Sequence, residues 1–324
     1  MILLTGATGY LGSQIARELI AQRRPFRILG RDPSRLAFNP VEVGVDVVTG
    51  DLRDPSAVRQ AVRGVEAIIH TAALVKTWVP DRRHFWQTNV QGLTDLLREA
   101  AEAGVRRIVY TSSFIALGPS SDVKAGEELR HRSPYANDYE ETKAQALVWL
   151  RNQKGQFPVV TLLPGVIYGP GPKTEANLVG GMIEQYLAGK FPGLLGSGEQ
   201  RWSFAYNGDV VAAHLAALDR GVPGEEYLLA GDNRSLNDFF RLLTELSGVH
   251  HRVLHLPFWA GKLMGEIELM RAKLTGLPPQ VTPGVVEIFK HDWVYSGEKA
   301  VRQLGYHVTP LEEGLAKTLE ARHG

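Results

Sequence analysis

The stretch Ile2-Leu3-Leu4-Thr5-Gly6-Ala7-Thr8-Gly9-Tyr10-Leu11-Gly12 decides the fold. Its apolar start, Ile2–Leu4, reads as a minimal strand, and a helix-like pattern runs from Tyr10 to Arg23. Between them lie three glycines in seven residues. Glycines at such a junction let the chain bend sharply, let a ligand approach the backbone, and let the helix pack closely on the strand. A helix starting there aims its unpaired N–H groups and the positive end of its dipole at whatever sits above the turn, which suits phosphate. Thr5, Gly6, Thr8, Gly9, Tyr10, Leu11 and Gly12 are therefore the first candidate cofactor-binding residues. The spacing is G-x-x-G-x-x-G rather than the G-x-G-x-x-G of many dehydrogenases. A tight turn alone would satisfy it; its place between the first strand and the first helix favours a dinucleotide site.

Downstream, short apolar runs recur at Phe26–Leu29, Val45–Thr49, Ala67–His70, Arg107–Tyr110 and Val159–Leu163. Helical patterns separate them, notably Arg83–Ala103 and Ala136–Gln153. Strands alternating with helices at this spacing imply parallel pairing with right-handed crossovers, an α/β fold with a doubly wound parallel Rossmann sheet. After Pro164 the pattern becomes irregular and rich in Pro and Gly. A strand-then-helix pattern returns over Phe204–Arg220, and Glu226–Ala230 reads as another strand. From Ser235 onward helices dominate, the first opened by a capping-box-like Ser235 to Asp238. The expected organisation is a dinucleotide-binding core over residues 1–165, with 204–234 returning to it. Residues 166–203 and 235–324 would form a smaller, mostly helical substrate lobe.

Composition narrows the function classes. Lys and Arg number 36 and Asp and Glu 35 in 324 residues, so a net charge of +1 gives no reason to expect a nucleic-acid partner. There are no cysteines, which excludes disulfides, thiolate zinc sites and cysteine nucleophiles. The N-terminus lacks the pattern of a secretory signal, and no stretch approaches the ~20 apolar residues that span a bilayer. A cytoplasmic protein without integral membrane association is the expectation.

The end of the second strand reports on the cofactor. An acidic residue there would bind both ribose hydroxyls and repel a 2′-phosphate. Here the strand runs into Gly30-Arg31-Asp32-Pro33-Ser34-Arg35, and Arg31 with Arg35 forms a cationic fork suited to phosphate. NADP is the expected cofactor, with Asp32 leaving a route to NAD through a small register shift.

Eight segments, in order over nearly the whole chain, carry a family likeness. They are Thr5–Gly12, Gly30–Pro33, Gly50–Leu52, His70–Ala73, Asn89–Gly92, Thr111–Ser113, Tyr139–Lys143 and Leu163–Pro170. The chain resembles the extended short-chain dehydrogenases/reductases, the NAD(P)-dependent epimerase/dehydratase superfamily, and within it the dihydroflavonol-reductase-like branch. The resemblance implies that Ser113, Tyr139 and Lys143 are catalytic. Tyr139 and Lys143 lie four apart, on one face of a helix. An ammonium and a positive nicotinamide beside the phenol would lower its pKa from about 10 toward neutrality. In the reductive direction Tyr139 would protonate the carbonyl oxygen, Ser113 would orient it, and Lys143 would hold the nicotinamide ribose. Ser112 follows the same strand and competes with Ser113 for that role. The resemblance further assigns Asp51 and Leu52 to the adenine, Thr71, Ala72 and Ala73 to close passage of the dinucleotide, and Pro164 and Ile167 to the carboxamide. It gives Asn89 a structural or proton-relay position behind Ser113, and Asp209 a helix-capping one.

The resemblance implies a small-molecule carbonyl or alcohol as substrate. The loop Leu74–Trp78 and the segment Gly118–Asp138 should border its pocket, which makes Lys76, Trp78 and Tyr135 candidate contacts. Sugar-nucleotide epimerases of the superfamily place an Arg where this chain has Trp202, with Arg201 offset by one; that departure weakens an NAD-dependent epimerase or dehydratase reading. A non-catalytic NADP(H) sensor is disfavoured by the Tyr139–Lys143 pair. Phe258–Leu274 reads as a charged amphipathic lobe helix. A homodimer through the helices Arg83–Ala103 and Ala136–Gln153 is an arrangement that the superfamily uses.

Overall fold

A computed structural model describes residues 1–322 apart from 121–123, 133, 173 and 175. Among the described residues the strands run in the order β1 (Ile2–Thr5), β2 (Phe26–Gly30), β3 (Asp46–Thr49), β4 (Ala67–His70), β5 (Arg107–Thr111), β6 (Val159–Pro164), β7 (Val166–Tyr168), β8 (Leu194–Leu195), β9 (Arg201–Tyr206), β10 (Glu226–Leu229), β11 (Asp232–Ser235) and β12 (His255–Leu256). The helices are α1 (Tyr10–Ala21), α2 (Pro55–Val62), α3 (Arg83–Trp86), α4 (Gly92–Glu102), α5 (Asp138–Asn152), α6 (Leu178–Leu187), α7 (Asn207–Arg220), α8 (Leu236–Ser247), α9 (Phe258–Thr275), α10 (Pro283–Ile288), α11 (Glu298–Leu304) and α12 (Leu311–Glu320).

Seven strands form one sheet in the order β10-β6-β5-β4-β1-β2-β3, and every pairing in it is parallel. The period-2 geometry of a strand sends neighbours to opposite faces, and here both faces are apolar. Leu4, Ile28, Ile69 and Val109 join α1, α7 and α11 on one side. Leu3, Leu29, Ile68 and Ile108 join α2 and α4 on the other. The doubly wound sheet is thus present as the alternation of strands and helices required.

A third apolar cluster lies beyond the sheet. It gathers Phe114, Ile183, Tyr186, Trp202, Phe204, Phe239, Phe240, Trp293 and Tyr295 around the three-stranded sheet β11-β9-β7. Ser235 caps α8, accepting from the Asp238 N–H at 3.0 Å and bonding its carboxylate at 3.0 Å. The helix α11 falls in the stretch expected to be lobe, yet it packs on α7 and β10, and Ala300 and Leu304 enter a core cluster. Nothing in its helical period distinguishes a lobe helix from one that returns to the sheet. Among the described residues no helix is long and apolar enough to cross a membrane.

One element departs from its expected form. The stretch read as a single helix from Arg83 contains a wide π turn over Gln87–Gln91 between α3 and α4. Such a turn inserts a residue into the helical repeat. Asn89 lies within it and is buried.

Candidate active site

The glycine turn has separate reasons for two of its three glycines. Gly6 has φ +80°, and a Cβ there would lie 2.6 Å from Thr71 Oγ1 and 2.7 Å from the Ala72 nitrogen. A Cβ on Gly12 would lie 2.1 Å from the Gly6 oxygen, so only glycine lets α1 sit this close to β1. Gly9 differs. Its φ of −86° suits any residue, and a Cβ would meet only the Gly6 oxygen at 3.2 Å. The protein interior barely needs glycine there, which leaves close approach from outside as the physical reason. Tyr10 and Leu11 turn their side chains inward, and the Tyr10 hydroxyl donates to the Gly169 oxygen at 2.9 Å. Only their backbone N–H groups are placed to serve a ligand.

Beside the turn, Thr5 Oγ1 and His70 Nδ1 are 2.7 Å apart, and Thr71 Oγ1 donates to the Thr5 oxygen at 2.8 Å. His70 is fully enclosed, and burial with help from the Lys143 charge lowers its pKa to about 3, so it is neutral. On the other flank Thr111 Oγ1 meets His214 Nε2 at 2.8 Å while His214 Nδ1 faces the Val210 oxygen at 2.7 Å. A carbonyl only accepts, so Nδ1 carries the proton and Nε2 accepts from Thr111. These two neutral histidines brace the strand ends around the site, and neither was singled out in the sequence.

Ser113 and Tyr139 meet at the carboxyl end of β5. Ser113 is partly exposed, in extended conformation, and caps the short turn Phe114–Leu117. Ser112 is buried, with its N–H donating to the Leu162 oxygen at 2.8 Å. Of the two serines, it is Ser113 whose hydroxyl favours the Tyr139 phenolate, opposing the effect of burial. One turn further along α5, Lys143 is 2% exposed; its Nζ donates to the Thr111 oxygen at 3.0 Å and lies 5.2 Å from the centre of the Tyr110 ring.

Electrostatically the pair is held away from its charged forms. Burial pushes the Tyr139 phenol up to about 12, opposed by Ser113, and pushes the Lys143 ammonium down to about 7. The sequence led us to expect Lys143 to lower the tyrosine. Among the protein's own groups it does not, because desolvation outweighs any help that a half-neutral amine could give. Lys143 has three donors, and Thr111 takes one. A ribose diol laid across it would accept the others and restore its charge, so the residues present fit a nicotinamide ribose.

Asn89 holds the walls together. Its Oδ1 accepts from the Leu74 N–H at 2.7 Å, and its Nδ2 donates to the Leu74 oxygen at 3.2 Å and to Thr142 Oγ1 at 3.1 Å. The amide therefore joins the loop after β4 to α5, and all of its donors and its acceptor are engaged by Leu74 and Thr142, not by Ser113. Next to Tyr139, Glu140 is buried and accepts from the Ala136 N–H at 2.8 Å, while His131 Nε2 lies 2.7 Å from its other oxygen. Tyr135 packs on His131 with ring centres 4.4 Å apart. Trp78 is half-buried and Lys76 exposed at the loop after β4. The segment Gly118–Asp138 lies partly outside the described residues, at 121–123 and 133.

At the other end of the groove Arg31 and Arg35 are exposed. Asp32 caps the turn Pro33–Arg35, accepting from the Ser34 N–H at 3.1 Å and its hydroxyl at 2.6 Å. Asp51 is gripped by Arg53 at 3.0 and 2.8 Å; that pair, with Arg31 adding its charge, holds the Asp51 carboxyl below the usual range. Arg53 was not legible in the sequence, since its pairing with Asp51 depends on a turn after β3. Leu52 is buried against Gly92 in the core cluster. Pro164 ends β6 and Ile167 lies half-buried in β7.

One expectation beyond the sheet changes. Asp209 does not cap α7, whose N-cap is Tyr206; its carboxylate instead accepts from the Thr309 N–H at 2.8 Å. Trp202 is 2% exposed inside the lobe cluster, and Arg201 is paired with Asp292 at 2.5 Å. Concavities near Arg151 and Glu226 and near Met1 and Glu66 lie at the amino ends of the strands. The site described here is at the carboxyl ends, where open parallel sheets bind their ligands.

A parallel sheet with a glycine turn after β1 and a Ser–Tyr–Lys set at its carboxyl edge defines a class, and sequence comparison supplies its name. The model of the NAD dependent epimerase/dehydratase family matches residues 2–230, and the chain belongs to that family. It is an NAD(P)-dependent enzyme of the extended short-chain type. Among its relatives is sterol demethylase protein B of Methylococcus capsulatus, 36% identical over 276 residues, covering 84% of this chain and 81% of the relative. A Synechocystis sp. protein with dihydroflavonol 4-reductase in its name is 29% identical, covering 97% and 92%. The 3-beta-hydroxysteroid dehydrogenase of Mycolicibacterium neoaurum is 28% identical, covering 98% and 90%.

Proposed function

We propose that this chain is an NADP-dependent oxidoreductase that interconverts an alcohol and a ketone or aldehyde on a small apolar molecule of the steroid class. The observation that carries the reading is the buried Lys143, one helical turn beyond Tyr139 on α5 and bonded to the Thr111 oxygen just before Ser113. The steroid class is suggested by two of the relatives, and Trp78 and Tyr135 offer apolar surface beside Lys76 near the substrate end. The bound dihydronicotinamide supplies the hydride. Ser113 donates to the substrate oxygen and fixes its direction. Tyr139 gives its proton to that oxygen as negative charge develops there, and takes it back in oxidation. Lys143, recharged by the ribose hydroxyls, draws the tyrosine down from about 12 toward the working range. Thr5, Gly6, Thr8, Gly9, Thr71, Ala72, Ala73, Pro164 and Ile167 would line the dinucleotide. NADP is preferred to NAD because Arg31 and Arg35 are exposed at the end of β2, while Asp32 is tied into a turn and Asp51 is neutralised by Arg53.

Tyr139→Phe tests the reading. Against a panel of 3-ketosteroids and 3-hydroxysteroids, the variant should lose turnover by about 10³-fold while NADPH binding stays within a few-fold of wild type. Undiminished NADPH oxidation would overturn the role of Tyr139. Tightly held NAD with no net redox turnover would favour an epimerase. The pairing of Arg201 with Asp292 and the burial of Trp202 weigh against a sugar-nucleotide site.

A further inference from the structure

Helix α9 is apolar on the wrong side. Its buried positions, Gly261, Gly265 and Ala272, share one face, against Leu195, Val286 and Pro283. At 100° per residue the opposite pole carries Trp259, Leu263, Ile267, Met270 and Leu274, spaced by four, four, three and four residues. Those five are 71%, 56%, 60%, 67% and 82% exposed, and Leu277 beyond the C-cap is 58% exposed. A helix on a water-facing surface puts its charges at that pole. Here Lys262, Lys273 and one acid, Glu266, stand on one shoulder of the stripe, and Arg271, paired with Glu268, stands on the other.

We propose that this stripe is a membrane-docking face that lays α9 in the headgroup region of an anionic bilayer. Three observations favour lipid over another occupant. The segment 250–280 holds four Lys or Arg (Arg252, Lys262, Arg271, Lys273) against two Glu (Glu266, Glu268), an excess of two on a chain whose total is only +1. The flanking lysines have long stems that can keep their charge among headgroups while the stripe sinks below them. Leu254 before the helix and Leu277 after it are exposed as well, so exposed apolar side chains are not confined to the helix.

The position of the stripe gives it a use. Gly265 of α9 abuts Pro283 at the start of α10, and Gly284 of α10 abuts the Ala136 oxygen, just before the helix that carries Tyr139 and Lys143. A bilayer under the stripe would thus be linked to the substrate end of the site through α9 and α10, which would hold the site close to a surface where an apolar substrate dissolves. That use rests on the steroid reading above; the docking itself does not.

Flotation of the full chain with lipid vesicles is the test. One set contains phosphatidylcholine alone, the other equal parts phosphatidylcholine and phosphatidylglycerol. Wild type should float with the mixed vesicles, less with the neutral ones, and less as salt rises. Ile267→Glu with Leu274→Glu, both at exposed positions, should lower partition roughly tenfold or more with unchanged circular dichroism. Absence of flotation overturns the proposal. So does a dimer in sedimentation velocity that the double variant dissolves while vesicles fail to bind, since a second copy would then be the occupant. The assay needs neither cofactor nor turnover, so its failure leaves the redox reading intact. An inactive steroid panel likewise leaves docking intact.

Discussion

Replacing Lys143 with methionine should stabilise the cofactor-free protein at low pH while abolishing its activity. The ammonium is 2% exposed, and its pKa falls from the ordinary 10.5 to about 7 through desolvation. At ~1.4 kcal/mol per pH unit, holding it charged in the folded state costs about 5 kcal/mol. Methionine is close in shape and needs no solvation. It forfeits the hydrogen bond to the Thr111 oxygen and the contact over the Tyr110 ring, together about 2 kcal/mol. The net gain near pH 6 is then about 3 kcal/mol. Its pH dependence follows from proton counts. The unfolded chain keeps this proton up to about 10.5 and the folded chain only to about 7. Across that window the unfolded state binds more protons, so wild-type stability rises with pH. The advantage of Lys143→Met is therefore full below about 7, shrinks through the window, and turns into a small deficit near 10.5, where only the lost contacts count. Urea unfolding followed by circular dichroism at several pH values measures this directly. A variant less stable than wild type near pH 6, or a difference that does not change with pH, would refute the claim that the site holds a costly desolvated charge.

Arg31→Ala should weaken NADPH binding by about tenfold or more and leave NADH binding within a few-fold, measured by fluorescence titration; equal losses for both would remove the 2′-phosphate role. Gly12→Ala places a Cβ 2.1 Å from a backbone oxygen, so the turn must open, and a loss of about 2–3 kcal/mol in urea unfolding is expected, whereas the same change at Gly9 should cost little stability and much cofactor affinity. Glu140→Ala leaves the buried His131 and the Ala136 N–H without their acceptor and should cost about 3 kcal/mol, with Glu140→Gln losing clearly less; equal losses would show that the acceptor is not what matters.

The sequence by itself determined the sheet and the line of chemistry along its carboxyl edge. Apolar runs such as Ile2–Leu4 and Ala67–His70 can be buried on both faces only in a parallel sheet covered by helices, and the four-residue step from Tyr139 to Lys143 fixes their common helix face whatever surrounds them. Gly6 and Gly12 were legible because a positive φ and a 2.1 Å approach leave no other residue possible. Tertiary structure alone decided the rest, since each remaining feature depends on groups far apart in the chain. Burial sets the charge of Lys143, and it reversed the expected direction for Tyr139. Asn89 faces Leu74 and Thr142 only because a π turn interrupts the helical repeat. Arg53 neutralises Asp51 through the shape of one turn, and Asp209 serves Thr309, a hundred residues away, rather than its own helix. The period of α9 disclosed an amphipathic helix. Which of its faces meets the protein was settled by the glycines Gly261 and Gly265, whose missing side chains let the backbone close on Leu195 and Pro283 and so turn the large apolar residues outward.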